Sequence, residues 1–383
     1  MASLFTPLKI GSTTIQNRLG MPAMTRSRSS ATIPNEIMKE YYVQRAKGGA
    51  GLIVSEGILI ARQGTEWPNA PGIWNQSQIA GWKKITDAVH EAGSKIYAQL
   101  ISHCGCAVGR LSHPDAPEQI AAGVPVYAPS AIAARGGKFR FLPGEPGYVT
   151  PTEIPDPTAL IAQFKQAAIN AKEAGFDGVE VHGASGYLLH QFLDNTSNKR
   201  NDKWGGSIEN RARFTLETLK AVAEVYGSDV AIKLTPAGGT YDVGMPLDET
   251  IATFGYLLTE INKFGLAYVC LVRYNPMFDP EFEPGKKRAT VHDVFQTYIP
   301  FLKNTPIWIN SGVTLEEGEE FLKSYSGKVA GIFMGFNWLT HPDLAKRLQE
   351  GKPLDNVLDF STLYGAVGVE PALGYTDYKE AVY

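Results

Sequence analysis

Residues 156–182, Asp-Pro-Thr-Ala-Leu-Ile-Ala-Gln-Phe-Lys-Gln-Ala-Ala-Ile-Asn-Ala-Lys-Glu-Ala-Gly-Phe-Asp-Gly-Val-Glu-Val-His, carry the pattern that decides the fold. Asp156 is a natural N-cap residue, and Pro157 suits the first position of a helix. Apolar residues then recur at three- and four-residue spacing until Gly175, where a left-handed glycine can end the helix. The next run, Gly178 to His182, is short and mostly apolar, as in a strand buried in a parallel sheet. The stretch therefore predicts a helix followed by a buried strand.

The same alternation of short apolar runs and longer amphipathic runs extends along the whole chain of 383 residues. Thr314 and Glu317, for example, form a capping-box pattern at the start of another helix. Eight strand–helix pairs predict a (β/α)8 barrel, which forms a single domain even at this length, here residues 1–383. The predicted strands are Arg18 to Met21, Gly51 to Ser55, Lys95 to Leu100, Gly178 to His182, Val230 to Leu234, Tyr268 to Val272, Ile307 to Asn310 and Gly331 to Met334.

Two segments lie outside this repeat. Leu8 to Gln16, with Gly-Ser at its centre, predicts a short hairpin that closes the bottom of the barrel. Residues 102–156 form a long connection after the third strand, and a connection of that length is usually functional. Because active sites of such barrels lie at the C-terminal ends of the strands, we expect residues 102–156 to form a lid over the site.

Composition excludes several classes of partner. The chain has 36 basic and 39 acidic residues and a formal net charge of −3, so no basic surplus is available for nucleic acid or an anionic membrane. No apolar run is long enough to span a bilayer, and the N-terminus lacks a signal-peptide pattern. Three cysteines suit a reducing compartment, and their spacing matches no standard zinc site. We expect a cytoplasmic protein without a metal that acts on a small molecule; the oligomeric state stays open.

Six short motifs follow one another along the chain: Asn17-Arg18 with residues 22–26 (Pro-Ala-Met-Thr-Arg), Glu56-Gly57, Gln99-Leu100, residues 179–189 (Val-Glu-Val-His-Gly-Ala-Ser-Gly-Tyr-Leu-Leu), residues 204–214 (Trp-Gly-Gly-Ser-Ile-Glu-Asn-Arg-Ala-Arg-Phe) and residues 374–378 (Gly-Tyr-Thr-Asp-Tyr). In order and residue type they resemble the old yellow enzymes, and the chain looks like a divergent fungal-type member. The resemblance implies a (β/α)8 barrel that binds FMN and reduces activated alkenes. It also implies that NAD(P)H reduces the FMN.

The resemblance further implies which residues hold the flavin. The hydroxyl of Thr25 would tune a flavin carbonyl, Gln99 would contact the pyrimidine edge, and Lys233 would be the cation near N1. The remaining cofactor-binding positions are glycines whose backbone would approach the cofactor: Gly57, Gly312 and Gly335.

The phosphate end departs from the family pattern. The old yellow enzymes have a Gly-x-Gly-Arg turn after the eighth strand, where this chain has Phe333-Met334-Gly335-Phe336. Phe333 replaces the first glycine and Phe336 replaces the arginine. One lost charge-assisted hydrogen bond costs about 1.5–3 kcal/mol. The sequence therefore predicts weakened or lost FMN binding, with NAD(P)H used only if FMN is present.

The substrate end is also altered. Tyr187 stands at the family's proton-donor position, and His182 at the first position of its carbonyl-binding pair. The second member of that pair is here Ser185, which is shorter than the family's His or Asn. Tyr375 is the other residue that the resemblance places against the substrate.

An apparent insertion of about five residues follows the third strand, at Ser102 to Ala107. It adds His103, a candidate acid–base group because histidine titrates near neutrality, and Cys104, a candidate pocket residue. Ile101, just before it, takes the place of the family's aromatic or small residue. We expect these residues to narrow the mouth of the barrel around one apolar substrate.

Three functions fit these observations. The leading hypothesis is redox-neutral proton transfer, such as double-bond isomerisation in a conjugated enone of a bulky natural product, catalysed without tightly bound FMN. The alternative is an FMN-dependent NAD(P)H ene-reductase of α,β-unsaturated carbonyls. A catalytically inactive scaffold that binds a ligand is the third possibility, and the joint survival of Thr25, His182 and Tyr187 argues against it.

Overall fold

Eight parallel strands close into a barrel in the computed structural model, which confirms the predicted (β/α)8 fold. The structure describes residues 3–64, 69–101, 121–135, 148–281, 284–365 and 370–383. The barrel strands are β3 (Leu19–Met21), β4 (Leu52–Leu59), β5 (Lys95–Ile101), β8 (Gly178–Gly183), β9 (Val230–Leu234), β10 (Tyr268–Val272), β11 (Ile307–Asn310) and β12 (Val329–Phe333). Around the barrel they follow the order β10-β11-β12-β3-β4-β5-β8-β9.

All eight predicted strands are present, and three of them coincide with their predicted bounds. The largest difference is in β4, which continues to Leu59 rather than ending at Ser55. Its pairing with β5 shifts register between Val54 and Gly57 and then resumes, with Leu59 opposite Ile101. Since this extension depends on the neighbouring strand, the composition of the segment alone could not predict it.

Helices cover the outside of the barrel between the strands. In the described ranges they are α1 (Glu36–Lys47), α2 (Gln76–Glu91), α3 (Pro157–Glu173), α4 (Leu188–Leu193), α5 (Ile208–Tyr226), α6 (Leu247–Ile261), α7 (Val294–Tyr298), α8 (Leu315–Ser324), α9 (Gly335–Thr340) and α10 (Leu344–Gln349). Within these ranges no helix combines the length and the hydrophobicity needed to cross a bilayer.

The predicted helix caps are present, with one difference. Asp156 caps α3, because its carboxylate accepts the backbone N–H of Thr158 at 2.9 Å. Thr314 caps α8 by accepting the backbone N–H of Glu317 at 3.2 Å. The second half of the predicted capping box is replaced, since the Glu317 carboxylate binds Arg273 instead.

The N-terminal hairpin closes the bottom of the barrel, as expected. Strands β1 (Leu8–Ile10) and β2 (Thr13–Ile15) pair antiparallel. Ile10 and Ile15 are buried in one cluster with the barrel-interior residues Tyr268, Trp308 and Phe333. Burying these apolar side chains stabilises the closed end, so the open end is the opposite one.

The connection after β5 extends over the open end. Its described part contains two short strands, β6 (Tyr127–Ala128) and β7 (Thr152–Glu153), which pair in parallel. Ala134 and Tyr148, from either side of residues 136–147, are buried together against Tyr241 and the half-buried Tyr187. The described part of residues 102–156 thus packs over the C-terminal ends of the strands, where the lid was expected.

Candidate active site

A cavity of about 250 Å³ opens at the C-terminal ends of the strands. At one end it is lined by Ser185 and Lys233, and at the other by Gly312, Gly335 and Phe336. Four of these five residues were expected at the substrate or the cofactor, and the fifth is the phenylalanine that replaces the family's arginine. The barrel therefore brings one expected substrate residue and three expected cofactor residues to one cavity.

His182 and Tyr187 face each other at the end of β8. Their ring centroids lie 5.0 Å apart, with the ring planes tilted by 53°. The Tyr187 hydroxyl lies 3.5 Å from the hydroxyl of Tyr241. A hydrogen-bond donor and a phenol held side by side can bind a carbonyl and protonate a nearby carbon. This is the chemistry that the resemblance implied for the pair.

The turn between β8 and α4 fixes the position of Tyr187. Ser185 and Gly186 both have positive φ angles, 55° and 74°. The Ser185 backbone N–H donates to Thr235 Oγ1 at 2.6 Å, and the Gly186 carbonyl accepts from Gln191 Nε2 at 2.7 Å. A Cβ atom on Gly186 would lie 2.6 Å from the Thr240 carbonyl oxygen, so only glycine allows this close approach.

A buried polar network links side chains of β5, β8 and β10 inside the barrel. Gln99 Nε2 donates to Glu180 Oε1 at 2.8 Å, and the Tyr268 hydroxyl donates to Glu180 Oε2 at 2.9 Å. Burial raises the pKa of the Glu180 carboxyl, whereas the nearby Lys233 and these two hydrogen bonds act in the opposite direction. The network orients the Gln99 side chain. The Glu180 carboxyl also lies close enough to Lys233 for the two groups to interact electrostatically.

Gly57, Thr25 and Ile101 meet where β4 runs beside β5. A Cβ atom on Gly57 would lie 2.9 Å from Ile101 Cγ2 and 3.4 Å from Thr25 Oγ1. Ile101 is buried in a small apolar cluster against which Tyr187 also packs. Thr25, Gly57 and Ile101 are therefore connected to the His182–Tyr187 pair through direct packing.

The loop after β9 holds Tyr241 over this pair. Tyr241 and Asp242 both adopt left-handed backbone angles, with φ of 55° and 60°. The Asp242 carboxylate accepts Arg135 Nη2 at 2.9 Å and lies 3.0 Å from Arg288 Nε. These ion pairs tie the lid to two loops of the barrel and keep the Tyr241 ring against Tyr187 at a centroid distance of 5.3 Å.

The two phenylalanines of the expected phosphate turn lie in different places. Phe333 is buried in the barrel interior, with its ring centroid 4.6 Å from that of Trp308, and it does not contribute to the described cavity lining. Phe336 does line the cavity and packs near Phe278 and Phe360. Phe333 is the last residue of β12 and Phe336 lies in the helix α9 that follows, so the chain changes direction between them.

Of the expected site residues, Ser185, Lys233, Gly312 and Gly335 line the cavity. The other described ones are not among its lining residues: Thr25, Gly57, Gln99, Ile101, His182, Tyr187 and Tyr375. Tyr375 is fully buried, and its ring stacks on that of Tyr41 at 4.1 Å with the guanidinium groups of Arg26 and Arg28 each 5.0 Å from its centroid. The expected contact of Tyr375 with substrate therefore has no counterpart in the described cavity lining. His103 and Cys104 lie outside the described residues.

Sequence reasoning missed several residues that build the site. Glu180 lies inside one of the sequence motifs. Its buried hydrogen bonds with Gln99 and Tyr268 form only when three strands of the barrel come together. Tyr241 had no recognisable pattern around it. Arg273 follows directly after a predicted strand, so its position at the C-terminal end of the barrel was a signal that could have been used.

Comparison with known proteins identifies the family. Residues 3–355 match the model of the NADH:flavin oxidoreductase / NADH oxidase family. The chain belongs to this family. Membership agrees with the old-yellow-enzyme resemblance and shows that the protein is of the oxidoreductase type whose members use FMN and NAD(P)H.

Fungal relatives and a solved structure match almost the whole chain. Chanoclavine-I aldehyde reductase from Penicillium roqueforti is 38% identical over 382 residues, covering 99% of this chain and 96% of that protein. A protein of Epichloe festucae var. lolii described as a probable inactive reductase is 36% identical over 386 residues, covering 98% and 95%. The structure of morphinone reductase has a TM-score of 0.83 and 35% identity, covering 99% of this chain and 96% of that chain.

The described residues fit the FMN that the family uses. Gln99 and Lys233 would supply amide and ammonium donors for the flavin ring. Gly335 leaves its backbone open to the cavity, since a Cβ atom there would meet only Met24 and Pro22, at 3.6 Å and beyond. Gly312, with φ of 65°, likewise presents main chain without a side chain. Phe336 supplies no charge, so a phosphate would need a cation from elsewhere.

Glu56, the neighbour of Gly57, gives the fold a testable pH dependence. Its carboxylate is buried between the Tyr42 hydroxyl and the backbone N–H of Arg26, and burial raises its pKa from 4.5 to about 7. The native state therefore binds a proton that the unfolded chain releases between these two values. This contribution to stability is present below pH 4.5 and is lost as the pH rises through about 7.

Replacing Glu56 with glutamine should remove this dependence. We expect the unfolding free energy of the wild type, relative to Glu56→Gln, to fall by ~3 kcal/mol between pH 4.5 and 7.5, as measured by urea denaturation. As a control, Glu224→Gln removes an exposed carboxylate whose pKa is lowered by Lys165, so any change there should be small and opposite in sign. A constant difference between wild type and Glu56→Gln would contradict the prediction.

Proposed function

We propose that this protein is an FMN- and NAD(P)H-dependent reductase of α,β-unsaturated carbonyl compounds. The observation that carries the proposal is the pairing of His182 with Tyr187 at 5.0 Å, beside Lys233 on the adjacent strand β9. When bound, FMN supplies the hydride that reduces the alkene, and NAD(P)H restores it. The roles of this chain's residues follow from where they lie.

His182 binds and polarises the substrate. At the end of β8 its ring can donate a hydrogen bond to the carbonyl oxygen, on which negative charge develops as the conjugated alkene is reduced. Ser185 lines the cavity from the turn after β8, and its backbone N–H is already bonded to Thr235. We therefore assign the carbonyl contact to His182 first, with the Ser185 hydroxyl as a weaker second donor.

Tyr187 delivers the proton. Its hydroxyl lies beside the Tyr241 hydroxyl, within the cluster formed by the lid residues Ala134 and Tyr148. In this position Tyr187 Oη can donate its proton to the α-carbon of the substrate as the alkene is reduced. Ile101 packs against the same ring and forms an apolar wall.

The substrate class is a conjugated enal or enone on a bulky, mostly apolar skeleton. Two proteins similar to this chain are named as reductases of chanoclavine-I aldehyde and of morphinone. A cavity of about 250 Å³ beneath a lid suits part of such a molecule.

Redox-neutral isomerisation is the second candidate. The observation in its favour is Phe336, which gives the phosphate end of the cavity an apolar wall in place of the family's cation. Two relatives are described as a probable inactive reductase and a probable inactive dehydrogenase, which is compatible with a family member that does not act as a reductase. In this reaction His182 and Tyr187 would move a proton between carbons of the enone without net reduction.

The visible spectrum and the NADPH requirement separate the two candidates. We expect the purified protein to carry FMN, to lose the flavin colour on anaerobic addition of NADPH, and to regain it when an enal or enone is added. One equivalent of saturated product should form for each NADPH consumed. Conversion of an enone without NADPH, by protein that cannot be loaded with FMN, would instead establish the isomerase.

A further inference from the structure

Arg273 brings a positive charge to the end of the cavity where Phe336 replaces the family's arginine. It is the first residue after β10, and its side chain lines the cavity together with Gly312, Gly335 and Phe336. Among the described lining residues the cations are Arg273 and Lys233. Lys233 lies within β9, near the buried Glu180. Arg273 is therefore the cation beside the two glycines.

The loop after β11 holds the guanidinium group in place. The Arg273 backbone N–H donates to the Asn310 carbonyl at 3.0 Å. Its Nε donates to the Ser311 carbonyl at 3.0 Å, and Nη2 donates to the Gly312 carbonyl at 2.6 Å. A Cβ atom built on Gly312 would lie 3.7 Å from Nη2, so the charge sits directly beside this exposed glycine.

Glu317 orients the same group and leaves one donor for a ligand. The Glu317 carboxylate accepts from Nη1 at 2.5 Å and from Nη2 at 3.1 Å. With the two carbonyl contacts, these bonds use four of the five guanidinium N–H groups within the described part of the chain. The fifth, on Nη1, is available to an anionic oxygen. A guanidinium fixed in this way loses little entropy when it binds a phosphate.

We propose that Arg273 binds the phosphate of FMN and takes over the role of the arginine missing at position 336. The charge comes from the loop after β10 instead of the turn after β12, while Gly312 and Gly335 offer main chain on either side. Phe336 packs near Phe278 and Phe360 and forms an apolar wall next to the phosphate. This inference rests on the proposed use of FMN.

Comparing FMN with riboflavin, which lacks the phosphate, isolates the contribution of Arg273. The Kd of each flavin for apoprotein is measured by quenching of free flavin fluorescence, for the wild type and for Arg273→Met. We expect Arg273→Met to weaken FMN binding about tenfold to a hundredfold and to leave riboflavin binding unchanged. Arg213→Met, which removes another arginine bonded to a main-chain carbonyl but on α5, away from the cavity lining, should change neither Kd.

A second variant separates charge from loop support. Adding Phe336→Arg to Arg273→Met returns a cation to the same end of the cavity, and the preference for FMN over riboflavin should return.

Equal weakening of FMN binding and riboflavin binding by Arg273→Met would show that Arg273 only supports the loop, which overturns the inference. Full retention of the FMN preference in Arg273→Met would also overturn it while leaving the proposed function intact. Wild-type protein that binds neither flavin would overturn both.

Discussion

Replacing Tyr187 with phenylalanine should lower turnover of an enal or enone about 10²–10⁴-fold, because the variant loses the hydroxyl that protonates the α-carbon. The ring itself remains, so its packing against Ile101, His182 and Tyr241 should keep the fold and the cavity unchanged. Stopped-flow measurement of the two half-reactions checks the prediction. Reduction by NADPH should proceed at the wild-type rate, and only reoxidation by the enone should slow.

A second tyrosine variant controls for the general effect of removing a buried hydroxyl. Tyr226→Phe deletes a phenol that donates to the Phe176 carbonyl at 3.3 Å, in the connection between α3 and β8 and outside the cavity lining. Its turnover should match that of the wild type. If Tyr187→Phe retains full activity while folded and loaded with FMN, the proton comes from another group. Tyr241, whose hydroxyl lies 3.5 Å from that of Tyr187, would be the next residue to test.

Replacing His182 with leucine should lower kcat about 10²–10³-fold, since the developing negative charge on the carbonyl oxygen loses its donor. Leucine has a similar volume and suits a position that is only 6% exposed, so the barrel should still fold. The loss should appear mainly in kcat, because a hydrogen bond to the developing enolate is stronger than one to the ground-state carbonyl. Steady-state kinetics with a single enone measures both constants.

A variant that keeps a donor at this position distinguishes hydrogen bonding from packing. His182→Asn retains an N–H group on a shorter side chain and should recover part of the kcat lost in His182→Leu. Equal losses in the two variants, with equal melting temperatures, would indicate that the ring of His182 acts by supporting Tyr187 rather than by binding the carbonyl.

The sequence by itself determined the architecture, because the signals involved are local. Apolar runs such as Val230–Leu234 lie on buried parallel strands, and Asp156 and Thr314 cap the helices that their positions predicted. These features depend on a few consecutive residues and on the periods of helix and strand, so a single chain is enough to predict them.

Only the tertiary structure decided how the site is completed, because its charges come together from distant positions. Phe333 and Phe336 are three residues apart, yet one fills the barrel interior and the other lines the cavity. Arg273 reaches the expected phosphate end through contacts with Ser311, Gly312 and Glu317, between 38 and 44 residues away. A side chain's direction and its electrostatic partners depend on how strands are arranged around the barrel, and no local pattern in the sequence records that arrangement.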